Sequence, residues 1–291
     1  MDLRYAAPVF DRKLLLVTGK GGVGRSAVSA ALAQTAVRAG LRVLALGMMD
    51  DVGIAYHLGS QQLTYEAREL RPGLHGLRVD LASALDEYLG LQLHVPRVTR
   101  FGPLRRSFEV LAATTPGVRE IIAIGKPVFE VSSGNWDLVI ADSPPTGQIA
   151  SYLAAPNAVG SLVPEGRVRD QARWISEVLL REAGLVMVAV PEELPVRESL
   201  EALHQIREQN LIDVVSVAAN RVLEPLGIPG ETRDQLPDGP HRDAAELHAS
   251  LYETQQRWLA ELEPDRTLPY LFGLLTPAEV AARLSDAWEE T

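Results

Sequence analysis

Thr18-Gly19-Lys20-Gly21-Gly22-Val23-Gly24-Arg25-Ser26 joins a short apolar run to a longer amphipathic stretch. Its glycines let successive backbone N–H groups turn inward around an anion, and a helix starting at its end aims the positive end of its dipole at the same point. Ser26 stands where a hydroxyl ligates Mg²⁺ in phosphate-binding loops. The residues expected around a nucleotide are Gly21, Gly22, Val23, Gly24, Arg25, Ser26 and Ala27. A glycine-rich turn without a ligand is the competing account, and the strand–loop–helix context argues against it. Lys20 follows the first glycine, the mark of the deviant type of phosphate loop. Arg25 occupies the place where such loops ordinarily carry lysine. A guanidinium is a broad planar fork and an ammonium a compact point charge, so the two are not equivalent in a tight loop. Lys13, Lys20 and Lys126 are the only lysines among 28 basic residues, so general drift to arginine also accounts for Arg25. The retained Lys20 is then the stronger candidate for a catalytic cation.

Outward from the loop, short apolar runs alternate with longer amphipathic ones. That pattern predicts an α/β fold of the P-loop NTPase kind, a mainly parallel sheet flanked by helices. Strands are expected at Lys13–Thr18, Arg42–Leu46, Leu77–Asp80, Asp137–Ala141, Leu185–Val190 and Val214–Ala219. Each is a continuous apolar run, as in strands covered on both faces. Helices are expected at Ser26–Ala39 and Asp170–Ala183, stopped by Gly40 and Gly184, and at Pro195–Gln209, Asp243–Leu262 and Pro277–Trp288. Leu226–His241, with its Gly and Pro residues, reads as an exposed loop. Leu81–Trp136 is far longer than a βα connection needs. It reads as a helical insert, punctuated at Val95–Pro103 and Pro116-Gly117, on a single domain spanning residues 1–291.

The run Asp137–Ala141 leads into Asp142-Ser143-Pro144-Pro145-Thr146-Gly147-Gln148. An apolar strand ending in a carboxylate is the Walker-B arrangement, in which Asp142 together with Ser26 would hold Mg²⁺ or its waters. Alone, a helix cap would explain Asp142; beside the glycine loop, metal binding is the better account. The two prolines make a stiff loop with one hinge at Gly147, suited to moving with a γ-phosphate. Asn220, in Ala218-Ala219-Asn220-Arg221, carries an amide able both to donate to and to accept from an adenine edge. A turn asparagine is the equal alternative.

Composition narrows the function further. The 291 residues are 46% hydrophobic and 23% charged, an ordinary globular balance, with a net charge of −10 that disfavours a nucleic-acid surface. The count of zero cysteines excludes disulfides, thiolate zinc sites, iron–sulfur clusters and cysteine nucleophiles. No run approaches the roughly 18 apolar residues of a membrane span, so no stable membrane insertion is expected. Nothing near the N-terminus resembles a signal peptide, and a cytoplasmic location is the expectation. The six histidines lack metal-ligand spacing, and His57, His75 and His94 are expected at the surface or in loops. Trp136, Trp174, Trp258 and Trp288 read as packing residues.

These segments together resemble the ArsA-type family, which includes the arsenite-pump ATPases and the targeting ATPases for tail-anchored membrane proteins. The resemblance runs from Leu14 to about Leu275 and is weakest across the insert. It rests on Gly19–Ser26, on Asp142–Gln148 (similar to the family's D-T-A-P-T-G-H), and on Val190-Pro191-Glu192-Glu193 with Glu198. Asn220 followed by Pro225 adds to it, and Leu268-Pro269-Tyr270 looks like the family's adenine-side segment. Gly117-Val118-Arg119-Glu120 through Gly125-Lys126 is most like single-copy bacterial members that work in pairs.

The resemblance implies ATP or ADP with Mg²⁺ as cofactors and a nucleotide-gated dimer, either a homodimer or a heterodimer with an ArsA-like paralogue. The family lysine matching Lys20 reaches across the dimer interface to the partner's phosphates. Arg25 would hold the β- and γ-phosphates, Ser26 and Asp142 the Mg²⁺, and Asn220 with Pro269 would bracket adenine. The family's water-positioning aspartate lies in a D-P-A-H segment; the matching stretch here is Gly47-Met48-Met49-Asp50-Asp51-Val52. An ungapped match puts Met49 on that aspartate, and a one-residue slip brings Asp50 there as the catalytic carboxylate. With Arg25, this departure implies weakened or altered hydrolysis.

Three functions are therefore in view. The first is an ATP–Mg²⁺-dependent dimeric switch with weak or altered hydrolysis, meeting an unknown protein client through the helical insert. The second is an inactive pseudo-ATPase scaffold whose Lys20 completes a paralogue's site. The third is a partitioning ATPase of the MinD/ParA type, which shares the deviant loop. Membrane-cycling members of that class end in a basic amphipathic helix, whereas Leu284–Thr291 is acidic, and the DNA-binding members need a basic stripe. Arsenite sites of the ArsA type use cysteine and the zinc-clasped dimer a C-x-x-C pair; this chain has neither. Met1, Met48, Met49 and Met187 all lie outside the insert, unlike the methionine-rich client groove of the targeting ATPases. Arg97, Arg100, Arg105 and Arg106 make a basic patch in the insert, either a solvated face or a seat for an acidic partner.

Overall fold

Every residue of Leu14–Gly19 (β1) is buried, because the pleat hands alternate side chains to opposite layers. Leu14 and Leu16 enter one core, Leu15 and Val17 the other. The computed structural model describes residues 8–49, 51–87, 117–163, 165–227 and 235–290. Around β1 it forms an 8-stranded sheet with β2 (Val43–Gly47), β3 (Arg68–Arg71), β4 (Leu74–Arg78), β5 (Leu138–Asp142), β6 (Ala183–Ala189), β7 (Val214–Val222) and β8 (Arg266–Pro269). The spatial order is β3-β4-β2-β5-β1-β6-β7-β8, parallel throughout except for β3, which runs antiparallel to β4 at the edge. The α/β class and the mainly parallel sheet are as the alternating pattern predicts.

Helices cover both faces. On one side lie α1 (Arg25–Arg38), α2 (Asp51–His57) and α9 (Pro277–Glu290), whose Ala31, Ile54 and Leu284 share a core with Leu15 and Val17. The other face carries α3 (Leu81–Glu87), α4 (Val118–Ser132), α5 (Thr146–Leu162), α6 (Arg167–Arg181) and α7 (Glu193–Glu208). Their Leu85, Ile124, Leu153, Leu179 and Ile206 pack with Leu14 and Leu16. The remaining helix, α8 (Pro240–Leu262), buries only Ala245 and Leu262. α1 is buried along Ala27–Ala36 because α9 lies over it, joined by the Thr35 and Ser285 hydroxyls at 2.8 Å and by Arg38 to Asp286 at 2.6 Å.

Several boundaries differ from expectation for identifiable reasons. Gly184 does not stop a helix: α6 ends at Arg181, and Gly184 lies within β6 opposite Leu15. A Cβ there would sit 2.7 Å from Val215 Cγ1, so the glycine serves strand packing. Gly40 does follow α1, in the left-handed region (φ +88°) that ends helices. β4 begins at Leu74, where Gly73 (φ +80°) turns the chain out of β3, and ends at Arg78 rather than Asp80, whose carboxylate accepts the Ser83 N–H in the first turn of α3. β3 is a polar, mostly exposed edge strand, and β8 is four residues ending in proline; neither has the apolar run that marks a strand in sequence. α5 starts at Thr146, inside the segment read as a stiff loop, because the prolines before it pre-set its first turn.

The ends of Leu81–Trp136 are helical, and α4 contributes Ile122, Ile124, Val128 and Val131 to the core shared with β1. Residues 88–116, with Val95–Pro103, Arg97, Arg100, Arg105 and Arg106, lie outside the described residues, as do Asp50 and His94. At the base of this region Lys126 is 6% exposed. Its Nζ lies 2.8 Å from Glu87 Oε2, 2.8 Å from Glu130 Oε1 and 4.5 Å over the Tyr65 ring. Tyr65 donates its hydroxyl to Glu87, and Trp136 Nε1 donates to Glu130 Oε2 at 2.9 Å. Burial, then the bond to Glu87, raises the Tyr65 pKa far above that of free phenol. One ammonium thus ties together α3, α4 and the chain entering β3.

Candidate functional site

Because β1, β5, β6, β7 and β8 are parallel, their carboxyl ends meet along one edge, the usual ligand side of such sheets. A pocket of about 630 Å³ opens there, walled by Gly22, Gly24, Arg25 and Ser26 on one side and Asn220, Arg221, Pro269 and Leu271 on the other. The glycine loop takes its shape from two constraints. Gly22 (φ +88°) and Gly24 (φ +93°) adopt left-handed backbone that L side chains resist. Gly19 sits so close to β6 that a Cβ would lie 2.1 Å from the Val188 carbonyl oxygen. Gly24 is the N-cap of α1 and supplies no capping side chain, and no acidic residue occupies the first turn. The first N–H groups of α1 therefore face the pocket mouth with no side chain competing for them.

The register of β1 with β5 sets Val17 beside Asp142, and the Ser26 hydroxyl donates to Asp142 Oδ2 at 2.5 Å. Hydroxyl and carboxylate are hard oxygen donors of the kind Mg²⁺ takes when it shares coordination with phosphate. Thr18 Oγ1 donates to the Pro144 carbonyl at 2.6 Å, and Arg25 donates from Nη1 to the Ser143 carbonyl. Both bonds tie the loop to the segment after β5. Lys20 is 30% exposed and its Nζ pairs with Glu198 of α7 within the same protomer. Met49 is 46% exposed, and its sulfur accepts the Tyr152 hydroxyl at 3.2 Å. Gly53 of α2 lies against Ser26, where a Cβ would come 2.9 Å from Oγ.

On the far wall, Asn220 ends the buried part of β7 and Pro269 ends β8, so the structure brings both expected residues to the glycine loop. Asn220 Nδ2 donates to the Val23 carbonyl at 2.8 Å. Gly53, His57, Arg221 and Leu271 were not legible as site residues. Arg221 stands in the segment that marks Asn220 but carries no signal of its own, no motif marks the other three, and only their tertiary positions bring them in. His57, expected at the surface or in a loop, occupies the last turn of α2 and lines the pocket, its Nδ1 2.7 Å from the Gly53 carbonyl. His75 lies in β4 with its ring 4.7 Å from Trp136.

Burial lowers the His57 pKa below 6.5, against a smaller raising effect of its backbone bond. The folded chain then binds fewer protons at this site than the unfolded chain as pH falls. Stability is expected to be full above pH 6.5 and to decline on acidification. Urea midpoints from pH 7.5 to 5 should fall less steeply in His57→Gln; an identical slope would show that His57 contributes nothing to it.

A family model described as an anion-transporting ATPase matches residues 12–179. ATPase BagA of Mycobacterium tuberculosis is 33% identical to this chain over 223 residues, covering 72% of the chain and 65% of BagA. ATPase get3 of Schizosaccharomyces japonicus is 29% identical over 152 residues, 50% of the chain and 45% of that protein. The chain thus matches less than two thirds of the length of each of these relatives. Among the described residues, no helix is long and apolar enough to cross a membrane.

Proposed function

The chain belongs to the ArsA family of anion-transporting ATPases, and we propose that this member is an ATP–Mg²⁺-dependent dimeric switch with weak or altered hydrolysis. The observation that carries the reading is the convergence of three features on one pocket. These are the uncapped start of α1, the left-handed glycine loop, and the Ser26–Asp142 oxygen pair. In this reading the phosphates lie on the N–H groups of Gly21–Ala27. The base extends toward Arg221, Pro269 and Leu271, which line the same pocket. Ser26 and Asp142 would hold the Mg²⁺, which when bound spreads the phosphate charge.

Slow turnover follows from what surrounds that pocket. Arg25 donates to Ser143 where a lysine ammonium would be free to move along the phosphates. Met49, matched without gaps to the family's water-positioning aspartate, offers a thioether held by Tyr152. Lys20, the residue expected to cross to a partner, is engaged by Glu198 in its own protomer. Dimer formation then exchanges this partly exposed ion pair for contacts to the partner's nucleotide. A scaffold role is favoured by the same Arg25 and Met49 observations, and it differs in requiring a paralogue for turnover.

Light-scattering mass measured during titration with ATP–Mg²⁺, alongside phosphate release, tests the reading. Wild-type protein is expected to shift from monomer to dimer. Lys20→Ala should weaken that association by about tenfold or more, the scale of one charge-assisted hydrogen bond. Arg25→Lys should raise affinity or rate. A protein that stays monomeric at saturating nucleotide sinks the dimeric switch, and brisk turnover by the chain alone sinks the scaffold.

A further inference from the structure

We infer that Asn220 is a positioning residue for the phosphate loop: its amide holds the Val23 carbonyl away from the anion site and so aims the next N–H, that of Gly24, toward it. The inference rests on the nucleotide reading of this pocket and gives Asn220 a duty other than reading the base. Asn220 is 4% exposed, and both ends of its amide are engaged by backbone. Nδ2 donates to the Val23 carbonyl at 2.8 Å, and Oδ1 accepts the Arg221 N–H at 2.9 Å. The second bond comes from a residue in left-handed backbone, Arg221 at φ +58°, which lies inside β7 where its register with β8 shifts between Ala219 and Val222.

The loop is shaped around this side chain in turn. A Cβ on Gly24 would lie 2.4 Å from Asn220 Nδ2, so the close approach and the +93° φ both require glycine at this one position. In a planar trans peptide the carbonyl and the following N–H point in opposite directions. Pinning the Val23 oxygen therefore sets the direction of the Gly24 N–H. An anion cradle needs that orientation, because a carbonyl turned inward would repel phosphate where an N–H attracts it. With alanine at 220 the Val23 oxygen loses its donor, and the peptide is free to rotate. An asparagine reading only the base would act on the nucleobase and leave the phosphates indifferent.

Isothermal titration of the full chain with ATP–Mg²⁺, GTP–Mg²⁺ and inorganic tripolyphosphate separates these roles. Asn220→Ala is expected to weaken all three by a similar factor of about ten, the scale of one lost hydrogen bond. The ATP-to-GTP preference should stay within about twofold of wild type on that basis. Asn220→Asp, which keeps the side-chain shape but sets an oxygen against the Val23 oxygen, should likewise weaken all three with the preference retained, and it carries the test if the alanine variant does not fold. A changed ATP-to-GTP preference with unchanged tripolyphosphate binding, or wild-type binding in both variants, overturns the inference alone. Wild-type protein that binds neither ATP nor tripolyphosphate overturns the nucleotide reading, and this inference with it.

Discussion

Alanine in place of Gly24 is expected to lower affinity for ATP–Mg²⁺ by about 100-fold, the equivalent of nearly 3 kcal/mol, because the free loop relaxes away from a strain that the anion-bound loop must bear. Two costs add. Holding an L residue in the left-handed region costs about 1–2 kcal/mol, and Gly24 has φ +93°. The new methyl group would also stand 2.4 Å from Asn220 Nδ2, displacing the amide from Val23 and forfeiting a bond of about 1 kcal/mol. Neighbouring glycines give the comparison its force. Gly21 has open space around its Cβ position and no positive φ, so Gly21→Ala should leave stability within about 0.5 kcal/mol of wild type. Gly22 has open space but φ +88°, so strain alone applies there. At Gly19 the obstacle is the Val188 backbone oxygen at 2.1 Å, which cannot swing aside, and Gly19→Ala should fail to fold. Thermal melts and nucleotide titrations of the four variants check this ranking. Equal behaviour of Gly21→Ala and Gly24→Ala would show that the loop lacks this geometry.

Lys126→Ala is expected to remove about 3–5 kcal/mol of folding stability, the range for breaking a buried ion pair from one side. The substitution leaves Glu130 and Glu87 as carboxylates around a cavity, with Tyr65 and Trp136 still donating to them. The loss comes mainly from charge left behind, so removing the charge should recover much of it. Lys126→Met with Glu87→Gln and Glu130→Gln is expected to be far more stable than Lys126→Ala, although it lacks every ion pair of the cluster. Urea unfolding measures both. A Lys126→Ala loss below about 1 kcal/mol, the scale of an exposed ion pair, would mean that water reaches these groups.

How much of this was legible in the residue order depends on what kind of signal each part carries. β1, β2, β5 and β6 were legible because strands buried along their whole length are made of nearly continuous apolar runs, and β7 was legible from its run Val214–Ala219. β3 and β8 were not, since an exposed edge and a four-residue strand ending in proline lack that mark. The glycine loop, Ser26 and Asp142 were found because their chemistry needs particular residue types in a local order. Gly184 misled, because a glycine required by the packing of Val215 looks in sequence like one ending a helix. His57 looked like a surface histidine until α2 was seen to pack beside the loop.

By itself, the sequence determined the α/β class, the central apolar strands and the phosphate-type loop, because each depends on neighbours along the chain and on the backbone freedom of glycine. Only the tertiary structure decided which distant groups meet that loop and which gather around Lys126 away from it. Lys20 pairs with Glu198, Asn220 holds Val23, Gly53 makes room for Ser26, and Lys126 gathers Glu87, Glu130 and Tyr65. Those contacts depend on strand order and register, which bring together residues far apart in the chain. Polar side chains in such contacts carry no periodicity of their own, and it is burial beside one partner that gives each its role.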